Sequence, residues 1–252
     1  MEKKYKDWQF ALGLNEIDEV TPSYFLQSLI EANIIGMISD SQAETLLQKY
    51  LIENNLQSEY KHDLVTLRIK RLLAIKDFKL NQNYLLAIHR YVFDGILPSA
   101  GQIRKTNLSR KEKCLNGETV IYATTNEIQE NLDYDFYYEN QKLAKRKTDL
   151  MLPSFCKFLS NVWQTHPFSD GNTRTLSVFT QKYLNYLGYA TDNDVFKYNS
   201  VYFRNALVRS NPTTNESLLP TNEYLLKFLD KLLFHPEITL DNAEMNISPT
   251  RN

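Results

Sequence analysis

The sequence predicts an all-α protein, a helical bundle interrupted by one short β-hairpin. Three observations lead there. Apolar residues recur at three- and four-residue intervals through most of the chain. Helix-starting patterns stand ahead of several of those runs. Glycine and proline are scarce, 7 and 8 in 252 residues, so long stretches run without a breaker.

Taken in order, Tyr5 to Leu14 forms the first helix. Thr21 followed by Pro22 reads as an N-cap with proline at the first helical position. Phe25, Leu26, Leu29 and Ile30 follow at helical spacing, and Gly36 ends that run. Ser39 with Gln42 makes a capping box ahead of Ala43, Leu46, Leu47 and Leu51. Residues 1–55 are therefore expected to form a three-helix unit, with the polar stretch Glu53 to Glu59 as its linker.

A second unit, expected over residues 60–235, opens with helices from Leu64 to Phe78 and from Asn83 to Val92. The pattern then changes at Cys114-Leu115-Asn116-Gly117-Glu118-Thr119-Val120-Ile121-Tyr122. Asn-Gly between β-favouring residues signals a hairpin, because both turn positions want positive φ. Flanked by Arg104, Lys105, Arg110 and Lys111, it reads either as a packed edge or as a flap facing a substrate. Leu152, Phe155, Cys156, Leu159, Val162 and Trp163 mark the next helix; His166 continues its face until Pro167 stops it. Leu176, Phe179, Tyr183, Leu184 and Leu187 mark another, ending near Gly188. Val201 to Val208 and Glu223 to Leu233 form a last pair, and residues 236–252 read as a polar, loosely held tail.

Composition narrows the function. Hydrophobic residues make up 42% and charged residues 23%, as in ordinary globular chains. The formal net charge is −1 and no basic face is evident, which argues against nucleic acid as a partner. The basic run Lys142 to Lys147 reads as a solvated helix end or loop. Only Cys114 and Cys156 are present, with no metal-ligand pattern around them, which fits free thiols in a reducing compartment. There is no standard signal peptide and no run near the roughly 18 apolar residues that span a bilayer. A cytoplasmic protein without a membrane partner is expected, with export by other signals left open. Homo-oligomerisation is also left open.

The segment His166-Pro167-Phe168-Ser169-Asp170-Gly171-Asn172-Thr173-Arg174 lies between two strongly helical patterns. Gly171 lets the backbone turn, and Asn172 is placed to cap the next helix. The first amides of that helix and its dipole then form an anion site, for which phosphate is the usual occupant. Arg174 adds a cation in the first turn, where arginine is otherwise unfavourable. Asp170 is a single carboxylate at the rim, enough for a magnesium ion that also takes phosphate oxygens. His166 has the proton affinity of a general base. Each feature alone is commonplace; the combination within nine residues is rare.

This segment resembles the Fic family signature, His-Pro-Phe-x-Asp/Glu-Gly-Asn-Gly-Arg-x-x-Arg, at His166, Pro167, Phe168, Asp170, Gly171, Asn172 and Arg174. The resemblance runs from about Asp63 to Leu233, and Ala100-Gly101-Gln102-Ile103-Arg104 is similar to the family's approach to its target-binding flap. It implies a Fic-type helical bundle with one β-hairpin flap. It also implies transfer of AMP from ATP to a Ser, Thr or Tyr hydroxyl of a protein target. His166 would act as base, Asp170 would hold Mg2+, and Gly171, Asn172, Thr173 and Arg174 would hold the phosphates. Leu115, Asn116, Gly117, Val120 and Ile121 would dock the target by strand-like pairing. By resemblance alone, Tyr202 and Asn205 lie where family members contact the nucleoside.

Two positions depart from the signature. Thr173 replaces a glycine, and Ser177 stands where a second arginine holds the terminal phosphate of ATP. The N-terminal unit resembles the small antitoxin domain that inhibits some Fic enzymes, on the strength of Thr21-Pro22-Ser23, Ile35-Gly36-Met37-Ile38-Ser39 and Gln42-Ala43. Its inhibitory motif is missing; the nearest frame puts Asn15 at the glutamate position. The losses at Asn15 and Ser177 read as coupled, and the unit is either an altered inhibitor or a packing module. Competing activities are a degenerate module that binds nucleotide or a protein, a kinase-type reaction, and another donor.

Overall fold

The computed structural model describes residues 1–56, 61–145 and 151–247. Ten α-helices are present among them: α1 Glu2–Gly13, α2 Tyr24–Ile34, α3 Asp40–Glu53, α4 Lys61–Ala74, α5 Gln82–Phe93, α6 Ile128–Lys145, α7 Leu152–Thr165, α8 Asn172–Tyr186, α9 Asn193–Arg209 and α10 Glu223–Leu233. Short 3-10 turns lie at Leu14–Asp18, Lys113–Leu115 and Asn242–Met245. The all-α expectation holds. No helix among the described residues is long and apolar enough to cross a membrane.

The apolar residues form two clusters. The larger includes Phe155, Leu159 and Trp163 of α7, Phe179 and Tyr183 of α8, Phe203 of α9 and Phe228 of α10. The smaller joins Trp8, Leu26, Leu29, Leu47, Leu51 and Leu67. Two helices serve both. On α1, Trp8 enters the smaller cluster while Phe10 and Ala11 enter the larger; on α4, Leu67 and its neighbours Val65 and Ile69 divide likewise. The first three helices are thus seated on the rest of the bundle by shared apolar faces.

Where α1 ends, it lies directly on α9. A Cβ at Gly13 would stand 2.3 Å from the Lys197 Cα, so only glycine permits this approach. The Ser200 hydroxyl donates to the Gly13 carbonyl at 2.6 Å. This junction fixes the direction in which the following turn, Leu14–Asp18, leaves the helix.

Several sequence expectations need correction. Helix α2 is capped by Ser23, whose hydroxyl accepts from the Leu26 amide at 3.0 Å, so Thr21 and Pro22 lie outside the helix. The capping box at Ser39 and Gln42 forms as expected. Helix α6 was not anticipated. Its core face rests on Ile128, Leu132 and Phe136, while Tyr134, Tyr137 and Tyr138 are exposed, so its apolar periodicity is diluted. The hairpin does not form as a two-stranded ribbon. Asn116 and Gly117 take the expected positive φ, but the arms meet only at an isolated antiparallel bridge between Lys111 and Thr119. The second arm pairs instead with residues 212–214: Ile121 N–H donates to the Pro212 carbonyl, and Thr214 N–H to the Thr119 carbonyl, both at 2.9 Å.

The tail is docked up to residue 247 rather than loose. Met245 is fully buried, its carbonyl accepts from Arg209 Nη1 at 2.8 Å, and the Ile247 amide donates to the Cys114 carbonyl at 3.0 Å. The expected linker falls partly on residues 57–60, outside the described residues, as do Arg146 and Lys147 of the basic run.

Candidate active site

The loop between α7 and α8 is clamped from several sides. Arg104, itself buried, donates through Nε to the His166 carbonyl and through its backbone amide to the Pro167 carbonyl, both at 2.8 Å. It also reaches the Thr106 and Ala123 carbonyls, so this arginine is a structural clamp and not part of a flap. Asn172 does not cap α8. Gly171 is the N-cap, and the Asn172 side chain closes the loop by accepting from the Phe168 amide at 3.0 Å and donating to its carbonyl at 2.7 Å. Gly171 sits at φ +73° with the Phe93 ring 2.4 Å from where a Cβ would be.

His89, on α5, was missed by sequence reading. Its Nδ1 accepts from the Gly101 amide at 2.8 Å, so Nε2 carries the proton and donates to the Asp170 carbonyl at 3.0 Å. Its ring stacks on Phe168 at 3.7 Å, and burial pushes its pKa down to about 4. Phe168 is thereby anchored in the core.

His166 closes α7 with φ +47°, a left-handed conformation that costs about 1–3 kcal/mol outside glycine. Its Nδ1 lies 3.0 Å from the Trp163 carbonyl. A carbonyl can only accept, so Nδ1 holds the proton and Nε2 presents a lone pair. Burial pushes the His166 pKa down to about 3. The Trp163 hydrogen bond opposes this, and the charges of Arg110, Arg104 and Arg204 reinforce it. The imidazole is neutral at every ordinary pH.

The amides of Asn172, Thr173 and Arg174 have no acceptor among the described residues, leaving an open helix N-terminus. Thr173 lines the cavity, and its hydroxyl accepts from the Trp163 indole at 2.9 Å, which leaves the hydroxyl proton free to donate. Asp170 Oδ1 accepts from the Gly171 amide at 2.7 Å and from Arg110 at 3.3 Å. Burial alone would raise its pKa, but Gly171, Arg174 and Arg110 outweigh that and hold the carboxyl below its usual range. No cluster of three or more His, Cys, Asp or Glu side chains suited to a metal exists among the described residues. A single ionised carboxylate at the edge of an anion site fits a hydrated magnesium ion that arrives with phosphate.

The cavity at this loop measures about 70 Å3 and is lined also by Ile17, Asp18, Arg110, Trp163 and Arg204. That falls short of the roughly 300–1,000 Å3 of a ligand pocket. The reason is visible. Asp18, at the end of the turn after α1, pairs with Arg174 at 3.0 Å, where a phosphate would be expected. Asn15, singled out by sequence, points elsewhere and accepts from Thr66 at 2.9 Å. A hollow of about 590 Å3 lies against α4 and α5, but its Glu44 is taken by Arg68 and Arg71, and no histidine lines it.

Other candidates disperse. Ser177 is fully buried and donates back to the Thr173 carbonyl at 2.9 Å. Leu115 and Val120 pack in the core, so of the flap residues Asn116, Gly117 and Ile121 remain at the surface. Tyr202 is fully buried and Asn205 bonds Asn242, so neither lines the cavity, whereas Arg204 between them does.

Residues 79–184 match the model of the Fic/DOC family. Over these residues the chain is similar to that family. Solved Fic domains share the fold. One is the N-terminal Fic domain of a Bartonella effector protein (Bep) from Bartonella sp. AR 15-3, a substrate of VirB T4SS. It is 17% identical with a TM-score of 0.54 over 72% of this chain and 85% of that one. A VirB-translocated effector's N-terminal FIC domain from Bartonella sp. 1-1C is 19% identical, with a TM-score of 0.54 over 71% and 85%. BepC from Bartonella tribocorum, solved with bound AMPPNP, is 17% identical, with a TM-score of 0.51 over 71% and 86%. No curated protein matches the chain. The family match covers His89, the loop and Ser177, while Asp18 and Arg204 lie outside it.

Proposed function

We propose that this protein transfers AMP from ATP to a hydroxyl side chain of a protein target. The observation that carries the reading is the fixed tautomer of His166. Its unprotonated Nε2 belongs to a cavity that also holds the open amides of α8, Arg174 and Asp170. In the reaction, Nε2 takes the hydroxyl proton as the oxygen bonds to the α-phosphorus. The bond from that phosphorus to the bridging oxygen breaks, and pyrophosphate leaves. Asp170 would hold magnesium, which supplies charge neutralisation on the phosphates. A pKa of about 3 describes the closed cavity, where burial and three arginines disfavour the imidazolium. Phosphate charge beside those arginines strengthens the base at the moment it is needed.

The cover is part of the reading. Asp18 stands in for a phosphate on Arg174, so the turn Leu14–Asp18 holds the site shut until it is displaced. The inhibitory contact therefore lies at Asp18 and Arg174 rather than at Asn15 and Ser177. The target would approach past Ile121 and the Asn116-Gly117 tip, since the second flap arm is already paired. BepC was solved with AMPPNP bound, which supports a nucleotide at a cavity of this fold.

One observation favours a second reading, a nucleotide-binding module without chemistry: Ser177 brings no cation to the phosphates. Magnesium and ATP labelled at the α- or γ-phosphate, incubated with the protein and a cell extract, separate the possibilities. Label passed from the α position supports AMP transfer, and from γ a kinase. AMPPNP binding with neither label transferred supports the module.

A further inference from the structure

We infer that Arg204, on α9, is a catalytic residue that stabilises charge on the phosphoryl group being transferred. This rests on the nucleotide-transfer reading and names a further residue of the same site. Three guanidinium groups line the cavity, those of Arg110, Arg174 and Arg204, and they divide it between them. Arg174 lies toward α5: its charge bears on His89 and Asp170, and it sits 4.8 Å over the Phe93 ring. Arg204 bears instead on His166, and Arg110 bears on both His166 and Asp170. The reacting phosphorus must lie beside the base, so the group it carries meets Arg204 and Arg110.

Arg204 is also held in advance. Its Nη2 pairs at 2.7 Å with Oε2 of Glu112, a fully buried carboxylate. The other Glu112 oxygen accepts from the Tyr122 hydroxyl at 3.0 Å, and the Tyr122 ring stands 4.2 Å from the His166 ring. Arg204, Glu112, Tyr122 and His166 thus form one supported row. The remaining N–H groups of Arg204 have no acceptor among the described residues. Developing negative charge on the phosphoryl oxygens supplies one, without reorganisation of the site. Ser177 leaves α8 without its second cation, and α9 delivers one from the other side, nearer the base.

The test uses the full chain carrying Asp18→Ala, with Arg204→Met and Arg204→Lys added to it. A paired Glu112→Gln/Arg204→Met variant avoids leaving Glu112 charged and alone. Transfer of α-label to extract protein is followed at saturating MgATP, and Mg-AMPPNP affinity by calorimetry. Expected is a rate lower by on the order of 10²–10³, the usual effect of removing a preorganised charge donor. AMPPNP affinity should stay within about threefold, with partial recovery in the lysine variant. Rates unchanged in Arg204→Met and the paired variant overturn the inference. So does a loss confined to AMPPNP affinity, which would make Arg204 a binding residue only. If the Asp18→Ala chain itself passes no α-label, the transfer reading fails and this inference with it.

Discussion

The loop from His166 to Arg174 and the turn Leu14–Asp18 face each other across one cavity but are held in opposite ways. The loop is tied by Arg104, Asn172, His89 and Trp163, each bonding it through buried or half-buried polar contacts. The turn is seated at its start by Gly13 on α9, yet at its far end a half-exposed Asp18 meets the loop through one ion pair. Leu14 lies in the core, Ile17 packs against it and Asn15 accepts from Thr66, so the body of the turn is anchored and only the Asp18 contact is a single exchangeable charge that a stronger anion could replace. On the proposed reading, the loop is fixed along its length whereas the cover is exchangeable only at its Asp18 end.

The largest expected effect is on the clamped side. His166→Ala should lower the transfer rate by about 10²–10⁴ while AMPPNP binding persists; retained α-label transfer would remove His166 from the role of base. Next, Gly171→Ala should destabilise the fold by about 1–3 kcal/mol or more. The positive φ adds to contact with Phe93, and the shift should appear in the denaturant midpoint. On the other side of the comparison, Asp18→Ala should tighten Mg-AMPPNP binding by about tenfold, or 1.4 kcal/mol. An unchanged or weaker affinity would mean that the turn is a packing element and not a cover.

The smallest effect concerns pH. His166 and His89 have pKa values lowered by burial to about 3 and about 4, so the unfolded chain takes up protons first. Their contribution to stability is complete above the ordinary histidine value of about 6.5 and is lost as pH falls below it. Asp135, raised by burial to about 6, acts in the opposite sense and gives its contribution up as pH rises through that value. Comparing His89→Gln with the parent chain cancels Asp135. The variant should lose less stability between pH 7 and 4.5, as read from denaturant midpoints at the two values.

The same contrast explains what was legible in the sequence. The loop puts a base, a carboxylate, a turn glycine and an arginine into nine consecutive residues, so proximity in sequence stood for proximity in space. Most of the helices were equally readable, because their core faces repeat regularly. Asp18 was not, since an acidic residue after a helix looks like any solvated charge until α1 is laid on α9. Arg204, His89 and the pair Glu112 and Tyr122 come from three separate segments, and only packing assembles them. The Asn-Gly turn was read correctly as a turn and incorrectly as a ribbon. Its second arm found a different partner in residues 212–214, and local propensity carries no information about a partner 90 residues away.

Trp163 has a consequence of its own. Its carbonyl sets the tautomer of His166, and its indole holds the hydroxyl of Thr173 at the head of α8. The proposed base and anion cradle are therefore gauged from a single residue, as two marks on one ruler. On the proposed reading, the spacing between proton acceptor and anion cradle is then set by the placement of one side chain and its own carbonyl. If the proposed cover at Asp18 is displaced, these two contacts need no change for the site to be aligned.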